Sequence, residues 1–256
     1  MHICIAGKNE CAINAAKFLV SFRHPKNRIL ILPNKNDTGK DEWQPSLKKF
    51  ALKNKLKIVT LKKLYQIKNL ILFSFEYEKI LDINLFKTNN LFNLHFSLLP
   101  KFRGCHTNFL QVYNGEKNSG VTLHRIDNGI DTGNIIDQVK FKINKDDTGF
   151  DNYIRLMKFS NKLFNKNLKK IINNKYKEKK QILSNGKYYS RKSVNYKKLY
   201  KINFVKHSLK IHNKIRALIF PAFQYPIVNG LIVKKSIYKN KKIYLIEYSN
   251  NKFKNK

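Results

Sequence analysis

Hydrophobic residues recur along this chain with two periods. HICIAG, residues 2–7, is a continuous apolar run closed by Gly7, as expected of a strand buried on both faces. ECAINAAKFLVSF, from residue 10, repeats its apolar positions at helical spacing, with Asn9 placed as the cap. RILILP reads as a second strand stopped by Pro33, NKNDTGKDEWQ as a polar loop, and PSLKKFALKNK as a helix with Pro45 at its first turn. KIVTL, NLILFSF and NLFNLHF read as the third, fourth and fifth strands. From Gly120, GVTLHRID and NIIDQVKFKI read as two further strands joined by a glycine-rich turn. GFDNYIRLMKFSNKLFNKNLKKIINN then reads as one long amphipathic helix, its apolar stripe formed by Tyr153, Leu156, Met157, Phe159, Leu163 and Phe164. Strands alternating with helices predict an α/β fold with a Rossmann-like, open, mostly parallel sheet reached by right-handed crossovers.

After residue 180 the pattern changes. YYSRKSVNYKKLY is aromatic and basic, and SLKIHNKIRALIF is a helix stopped by Pro221. YPIVNGLIVKKSIY and KKIYLIEY alternate like strands, with Asn229-Gly230 the strongest hairpin signal of the chain. The expected organisation is a catalytic domain over 1–180 and a small region over 181–256 with a helix and a β-hairpin, serving substrate binding and dimerisation. A lone hairpin is marginal in water. Ile227, Val228, Leu231, Ile232, Val233, Ile243, Leu245 and Ile246 give this one apolar residues on both faces. It is therefore expected to pack on its own domain or on a second copy.

Composition narrows the function classes. A chain of 256 residues with 42% hydrophobic residues is long and apolar enough for a substantial core. No apolar run is long enough to span a membrane, and MHICIAGKNE is not a signal peptide. The three cysteines, Cys4, Cys11 and Cys105, build neither a disulfide framework nor a zinc site, and a reducing cytoplasm fits them. The net charge of +36 suggests nucleic acid. The lysines, however, are spread through loops and helix faces together with Asn and Ile, a compositional bias rather than a patch. A general attraction for small polyanions is expected, and a dedicated nucleic-acid site is not. The lysine-rich tail 251–256 is expected to fray.

The candidate chemistry begins at NLHFSLLPKFRG, residues 93–104. Residues two apart on a strand point the same way, so Asn93 and His95 project together at the carboxyl end of the sheet, where ligands of open α/β folds bind. An amide donor beside a proton-carrying imidazole suits acyl transfer: one steadies an oxyanion while the other handles a proton. Alone, the pair reads equally as a strand-end Asn and a satisfied buried His. SLLPKFRG adds an abrupt turn that would build a pocket wall. RIDNGIDTGNII adds a tight loop in which Gly129 and Gly133 bracket Asp131 and aim a carboxylate. A calcium loop is rejected because Gly129 stands at a ligand position and no bidentate Glu follows. The first turn lacks G-x-G-x-x-G, so a nicotinamide cofactor is not indicated. Cys105-His106 is read as part of a loop rather than a thiol nucleophile, since adjacent residues rarely meet productively.

NLHFSLLPKFRG followed by NGEKNSGVTLHRIDNGIDTGNII resembles the signature of the folate-dependent formyltransferases. The resemblance is strongest over residues 70–145. It implies the formyltransferase fold and a catalytic triad of Asn93, His95 and Asp131. AGKNE, DEWQPSL, FSFEY and IFPAFQYPIVNG are similar to the bacterial sugar-nucleotide N-formyltransferases, and the stretch after residue 200 is too short for the C-terminal barrel of methionyl-tRNA formyltransferase. The branch implies 10-formyltetrahydrofolate as co-substrate and no metal. The acceptor it implies is a dTDP-linked amino-dideoxy sugar used in surface polysaccharide. The lean is to dTDP-4-amino-4,6-dideoxyglucose, with a 3-amino sugar as the alternative. It also implies a homodimer. A methionyl-tRNA-type transformylase and a non-catalytic nucleotide- or RNA-binding module on the same scaffold are the competing readings.

Binding positions follow from the same resemblance. Phe73, Ser74, Phe75, Leu99, Asp127 and Gly129 are the candidates for folate contact, the first three through backbone groups as well, with core packing the competing reading for the two Phe. Lys8, Asn9, Trp43, Gln44, Arg103, Tyr189, Arg191 and Arg216 are the candidates for the sugar nucleotide. Trp43, the only Trp, would stack on a base, and the arginines suit a diphosphate. A solvated surface position is the alternative for each. Leu99-Pro100 is a candidate cis bond.

Overall fold

The computed structural model of the chain describes residues 1–247. The 251–256 tail, and Tyr248 at the end of the last expected strand, lie outside the described residues. Five strands form the parallel part of the main sheet: β1 (His2–Gly7), β2 (Ile29–Pro33), β3 (Lys57–Ile58), β4 (Leu70–Phe75) and β5 (Leu91–His95). A two-residue strand β6 (Arg103–Gly104) follows, then β7 (Asn118–Arg125) and β8 (Ile135–Lys142). The seven-stranded sheet has the order β3-β2-β1-β4-β5-β7-β8, with β7 antiparallel to β5. The expected α/β, mostly parallel sheet is what forms.

The core strands owe their length to continuous apolar runs. All six residues of β4 are buried, and β1 is buried from Ile3 to Gly7. Gly7 is required where these strands end: it has φ +136, and a Cβ there would stand 1.9 Å from the Phe75 carbonyl oxygen. Phe73 and Phe75 point into the core, each edge-on to Phe164 of the long helix, at 4.9 and 5.5 Å between ring centroids.

Helix α1 (Asn9–Ser21) begins at Asn9, the residue expected to cap it. Lys8 holds the cap position and makes no side-chain cap bond. Asn9 has φ +65, and its carboxamide oxygen accepts the Cys11 N–H at 2.9 Å. It thus satisfies an orphan donor from just inside the helix. Helix α2 (Leu47–Lys53) is capped by Ser46, whose hydroxyl accepts from the Lys49 N–H. KIVTL is strand only at its first two residues, because Thr60 turns the chain into a short helix α3 (Leu61–Tyr65) with no clear periodicity of its own. Helix α4 (Thr107–Tyr113) was not expected either. It opens after the left-handed His106, a local start without a capping signature. The long helix forms as expected, as α5 (Gly149–Ile172).

The remaining elements are β9 (Tyr188–Tyr189), which pairs with β6, then α6 (Tyr196–Leu199), β10 (Lys201–Ile202) and α7 (Leu209–Leu218). They are followed by β11 (Ile227–Val228), β12 (Leu231–Lys239) and β13 (Lys242–Glu247). Asn229-Gly230 does make a hairpin turn, but it joins only the short β11 to β12. The longer hairpin, β12–β13, turns at Asn240 and Lys241, both with positive φ. Val228, Val233 and Ile243 are buried against Ile215 and Ile219. The two-faced apolar hairpin therefore covers α7 with one side.

The chain divides into two compact units. The first contains Met1–Gly104, Gly120–Lys140 and Leu156–Tyr188; the second contains Cys105–Ser119, Phe141–Arg155 and the chain from Tyr189 on. The single boundary expected near residue 180 is thus replaced by a discontinuous second unit. Its physical cause lies in α7. Buried Arg216 donates to the carbonyls of Asn144 and Asp147, and buried His212 bonds the Lys145 carbonyl at 3.0 Å. These bonds gather the 144–147 loop into the C-terminal unit.

His212 donates from Nε2 to that carbonyl, with Asp146 Oδ1 3.2 Å from the same nitrogen, and its Nδ1 shares a 2.8 Å hydrogen bond with the Ser236 hydroxyl. Burial lowers its pKa. An unfolded chain takes up a proton there below about pH 6.5, whereas the folded one resists it. The contribution is complete above that pH and is lost as pH falls toward the folded value. The melting temperature is expected to drop between about pH 7 and pH 5. His212→Gln should reduce that slope in circular-dichroism melts; an unchanged slope would contradict this role.

Candidate active site

The three polar residues singled out by sequence meet in the first unit. Strand β5 carries Asn93 and His95 on one side, and the antiparallel register sets His124 of β7 directly opposite Asn93. The chain then turns sharply: the Ser97 N–H returns to the His95 carbonyl at 2.9 Å, Leu99-Pro100 is cis, and Phe102 has φ +54. This turn brings the Phe102 carbonyl oxygen to 2.7 Å from His95 Nε2 and delivers the Gly104 N–H to Asp131 Oδ2 at 2.8 Å.

Asp131 sits in the loop between β7 and β8 with φ +55. A non-glycine residue held there costs on the order of 1–3 kcal/mol, which its surroundings must offset. Asp127 braces the loop from within, accepting the Thr132 hydroxyl at 2.7 Å and the Gly129 N–H at 3.2 Å. Asp131 Oδ1 accepts from Asn93 Nδ2 at 3.2 Å, and its two oxygens lie 3.5 Å from His95 Nδ1 and from His124 Nε2. Burial alone would raise this carboxyl's pKa. The opposing charge of His95, the hydrogen bond and charge of His124 and the Gly104 N–H outweigh burial and hold it well below the usual carboxylate range.

Protonation states follow from which atoms only accept. A carboxylate accepts, so the NH₂ of Asn93 faces Asp131, and its second hydrogen reaches His124 Nε2 at 3.2 Å. His124 Nδ1 donates to the Arg125 carbonyl at 2.7 Å, which leaves Nε2 between Asn93 Nδ2 at 3.2 Å and Asp131 Oδ1 at 3.5 Å, accepting from the amide when neutral and donating to the carboxylate when charged. His95 likewise donates from Nε2 to Phe102, leaving Nδ1 toward Asp131. A proton placed on Nδ1 is thus shared between the ring and an ionised carboxylate. The arrangement can orient an amide donor, hold an imidazole ready to charge and accept a proton from a nucleophile.

His124 escaped the sequence reading. Its signal was the register: only antiparallel pairing places it opposite Asn93.

Several binding candidates have other work. The side chains of Phe73, Ser74, Phe75 and Leu99 are buried, and the Leu99 N–H and carbonyl are bonded to Thr122 and Gln138. Asp127 and Gly129 shape the catalytic loop rather than presenting free groups. Asn9 is buried and bonded to Glu76, with its oxygen on Cys11. Arg216 is 4% exposed and spent on Asn213 and on the 144–147 loop carbonyls, which corrects its assignment to a diphosphate. Burial lowers its pKa to about 10. Lys8 caps α1 through its backbone, and Trp43 is exposed beside half-buried Gln44, whose carbonyl accepts the Glu42 N–H. Arg103 pairs through its backbone with Lys187. The Tyr189 carbonyl accepts the Cys105 N–H, and the Arg191 carbonyl accepts from His106 at 2.9 Å while its side chain is exposed. With Tyr196 on its other nitrogen at 3.2 Å, His106 has no nitrogen left for the Cys105 thiol, in line with a loop role. Among the described residues no three His, Cys, Asp or Glu form a metal-holding group, and no helix is long and apolar enough to cross a membrane.

Residues 48–168 match the Formyl transferase family model. The fold superposes on WlaRD, a sugar 3N-formyl transferase crystallised in the presence of dTDP and 5-N-formyl-THF. The two are 50% identical with a TM-score of 0.90, over 94% of this chain and 87% of that one. It also matches the N-formyltransferase of Helicobacter canadensis in complex with folinic acid and dTDP-3-aminofucose, at 45% identity and a TM-score of 0.89, over 94% and 88% of the two chains. The bifunctional polymyxin resistance protein ArnA of Wigglesworthia glossinidia brevipalpis is 37% identical over 75% of this chain, which spans only 31% of that protein's length.

Asn93→Ala and Asp131→Ala are each expected to fold and to raise the barrier by about 2.7–4 kcal/mol, roughly 10²–10³ in kcat. Steady-state rates with melting curves check this, and near-native turnover in either folded variant would refute the site.

Proposed function

The chain belongs to the folate-dependent formyltransferase family, and from that premise we propose that it moves a formyl group from 10-formyltetrahydrofolate to the C-3 amine of a dTDP-linked 3-amino-3,6-dideoxyhexose. The observation that carries the reading is the convergence of Asn93, His95 and ionised Asp131 in one partly buried cluster. The lean to a C-4 amine is set aside. The relatives at 50% and 45% identity are a sugar 3N-formyl transferase and an enzyme complexed with dTDP-3-aminofucose, which supports C-3.

In this mechanism the amine nitrogen bonds the formyl carbon and the bond from that carbon to the folate nitrogen breaks. The amine loses one proton and the departing nitrogen gains one. Asn93 keeps one amide hydrogen on Asp131 and turns the other from His124 to the oxyanion. His95 takes the proton at Nδ1, where Asp131 stabilises the cation, and returns it to the leaving nitrogen. The Phe102 carbonyl keeps Nε2 protonated throughout. The formamido product remains an activated sugar nucleotide, suited to transfer into a surface polysaccharide from the cytoplasmic side.

A homodimer completes the proposal. Tyr244 and Ile246 alternate with buried Ile243 on β13 and are 50% and 45% exposed, so the hairpin keeps an apolar outer face. Light scattering at micromolar concentration is expected to give twice the mass of one chain, and a monomer would contradict it.

Function is tested by incubating the enzyme with the formyl donor and dTDP-linked 3-amino or 4-amino sugars in turn, reading the formyl mass gain. Gain on the 3-amino sugar alone is expected. Gain on the 4-amino sugar alone would overturn the C-3 assignment. Formylation of charged methionyl-tRNA with neither sugar modified would overturn the sugar reading.

A further inference from the structure

Asp131 has a partner that neither its motif nor its strand supplies. The segment after α5 returns to the sheet, where Lys179 bridges Ile135 with hydrogen bonds of 2.8 Å in both directions. Two residues on, Gln181 is 7% exposed, and its Nε2 donates to the Asp131 carbonyl at 3.0 Å and to the Gly133 carbonyl at 2.7 Å.

We propose that Gln181 is a positioning residue for catalysis, which fixes the Asp131 carboxylate by clamping two carbonyls of its loop with one amide. The inference rests on the catalytic reading of Asp131.

The geometry carries it in three steps. First, an amide NH₂ has two hydrogens in a fixed plane, so bonding both carbonyls sets the distance and direction between residues 131 and 133. Second, Asp131 holds a left-handed φ of +55, a conformation that relaxes unless its surroundings determine it. Asp127 fixes the loop from inside through Thr132, and the backbone at Gly133 passes so close to β7 that a Cβ there would stand 2.1 Å from the Arg125 carbonyl. The carbonyls of 131 and 133 are what Gln181 holds. Third, the Asp131 side chain has narrow tolerance. Gly104 lies 2.8 Å from one oxygen and Asn93 3.2 Å from the other. The imidazoles of His95 and His124 are already at 3.5 Å, so rotation of the 131 peptide weakens the contact with one ring or both.

Gln181→Met keeps length and removes both donors. Gln181→Glu keeps shape and turns oxygens toward the two carbonyls. In the substrate-free enzyme, both are expected to shift the ¹⁵N resonances of the His95 and His124 rings in the direction produced by Asp131→Ala. Ring signals unchanged in both would overturn the proposal. In turnover assays both should lose kcat by about tenfold or more with little change in KM, as for a misplaced catalytic group. In an Asp131→Ala background, Gln181→Met should cost nothing further. Native kcat, or an equal loss in that background, would overturn it. In the wild-type protein, which needs no variant to fold, the Gln181 carboxamide protons should exchange slowly and couple to the two carbonyl carbons. Free exchange would refute the clamp. The ring shifts are read without substrate, so their presence with no transfer to any amino sugar would count against the proposed acceptor alone.

Discussion

A buried ionised carboxylate is the constraint around which the catalytic unit is arranged. Removing such a charge from water costs several kcal/mol unless polar groups replace the lost hydration. For Asp131 these come from separate stretches of chain: the Gly104 N–H after the cis-proline turn, the Asn93 amide from β5, and the rings of His95 and His124. Each stretch must be in place before the charge is tolerated. The turn, the antiparallel β5–β7 pairing and the left-handed loop are therefore linked through one side chain.

The acids of this very basic chain do architectural work. Against 52 Lys and Arg there are 16 Asp and Glu. Asp37 accepts from Gly39, Ser46 and Lys48 and shapes the loop before α2, while Asp127 braces the catalytic loop. Asp137 has its pKa raised by partial burial but lowered further by Lys166 and Asn167, and it ties β8 to α5. Carboxylates are thus used where backbone or side-chain donors need an acceptor. Many lysines are solvated: Lys62, Lys63 and Lys68 are all exposed. Screening at physiological salt confines such exposed charges to about 8 Å, so their sum acts as a general field for anions.

The second unit shows the opposite use of charge. Arg216 and His212 lie on α7 with their polar atoms turned inward onto the 144–147 loop. An arginine four residues from a histidine on a helix looks from sequence like an exposed basic edge. Burial converts it into a post that holds carbonyls, because an apolar hairpin covers the same helix and leaves those groups only internal partners.

The strands, the long helix, the fold class and the three polar residues that meet at the sheet end were legible in the sequence, since each depends on local periodicity or on a motif of fixed spacing. Two apolar periods decide strand from helix, and N-x-H on a strand sets two side chains together whatever lies around them. What escaped depends on distance along the chain. The pairing of His124 with Asn93 exists only once β7 runs antiparallel to β5. The clamp of Gln181 on Asp131 spans 50 positions. The burial of the Phe73, Phe75 and Arg216 side chains is decided by Phe164 and by the loop at 144–147. Sequence by itself determined which polar groups would be candidates for the chemistry, because spacing along a backbone is a local property. Tertiary structure alone decided their protonation and precision, because desolvation and hydrogen-bond supply come from whatever the fold packs against them.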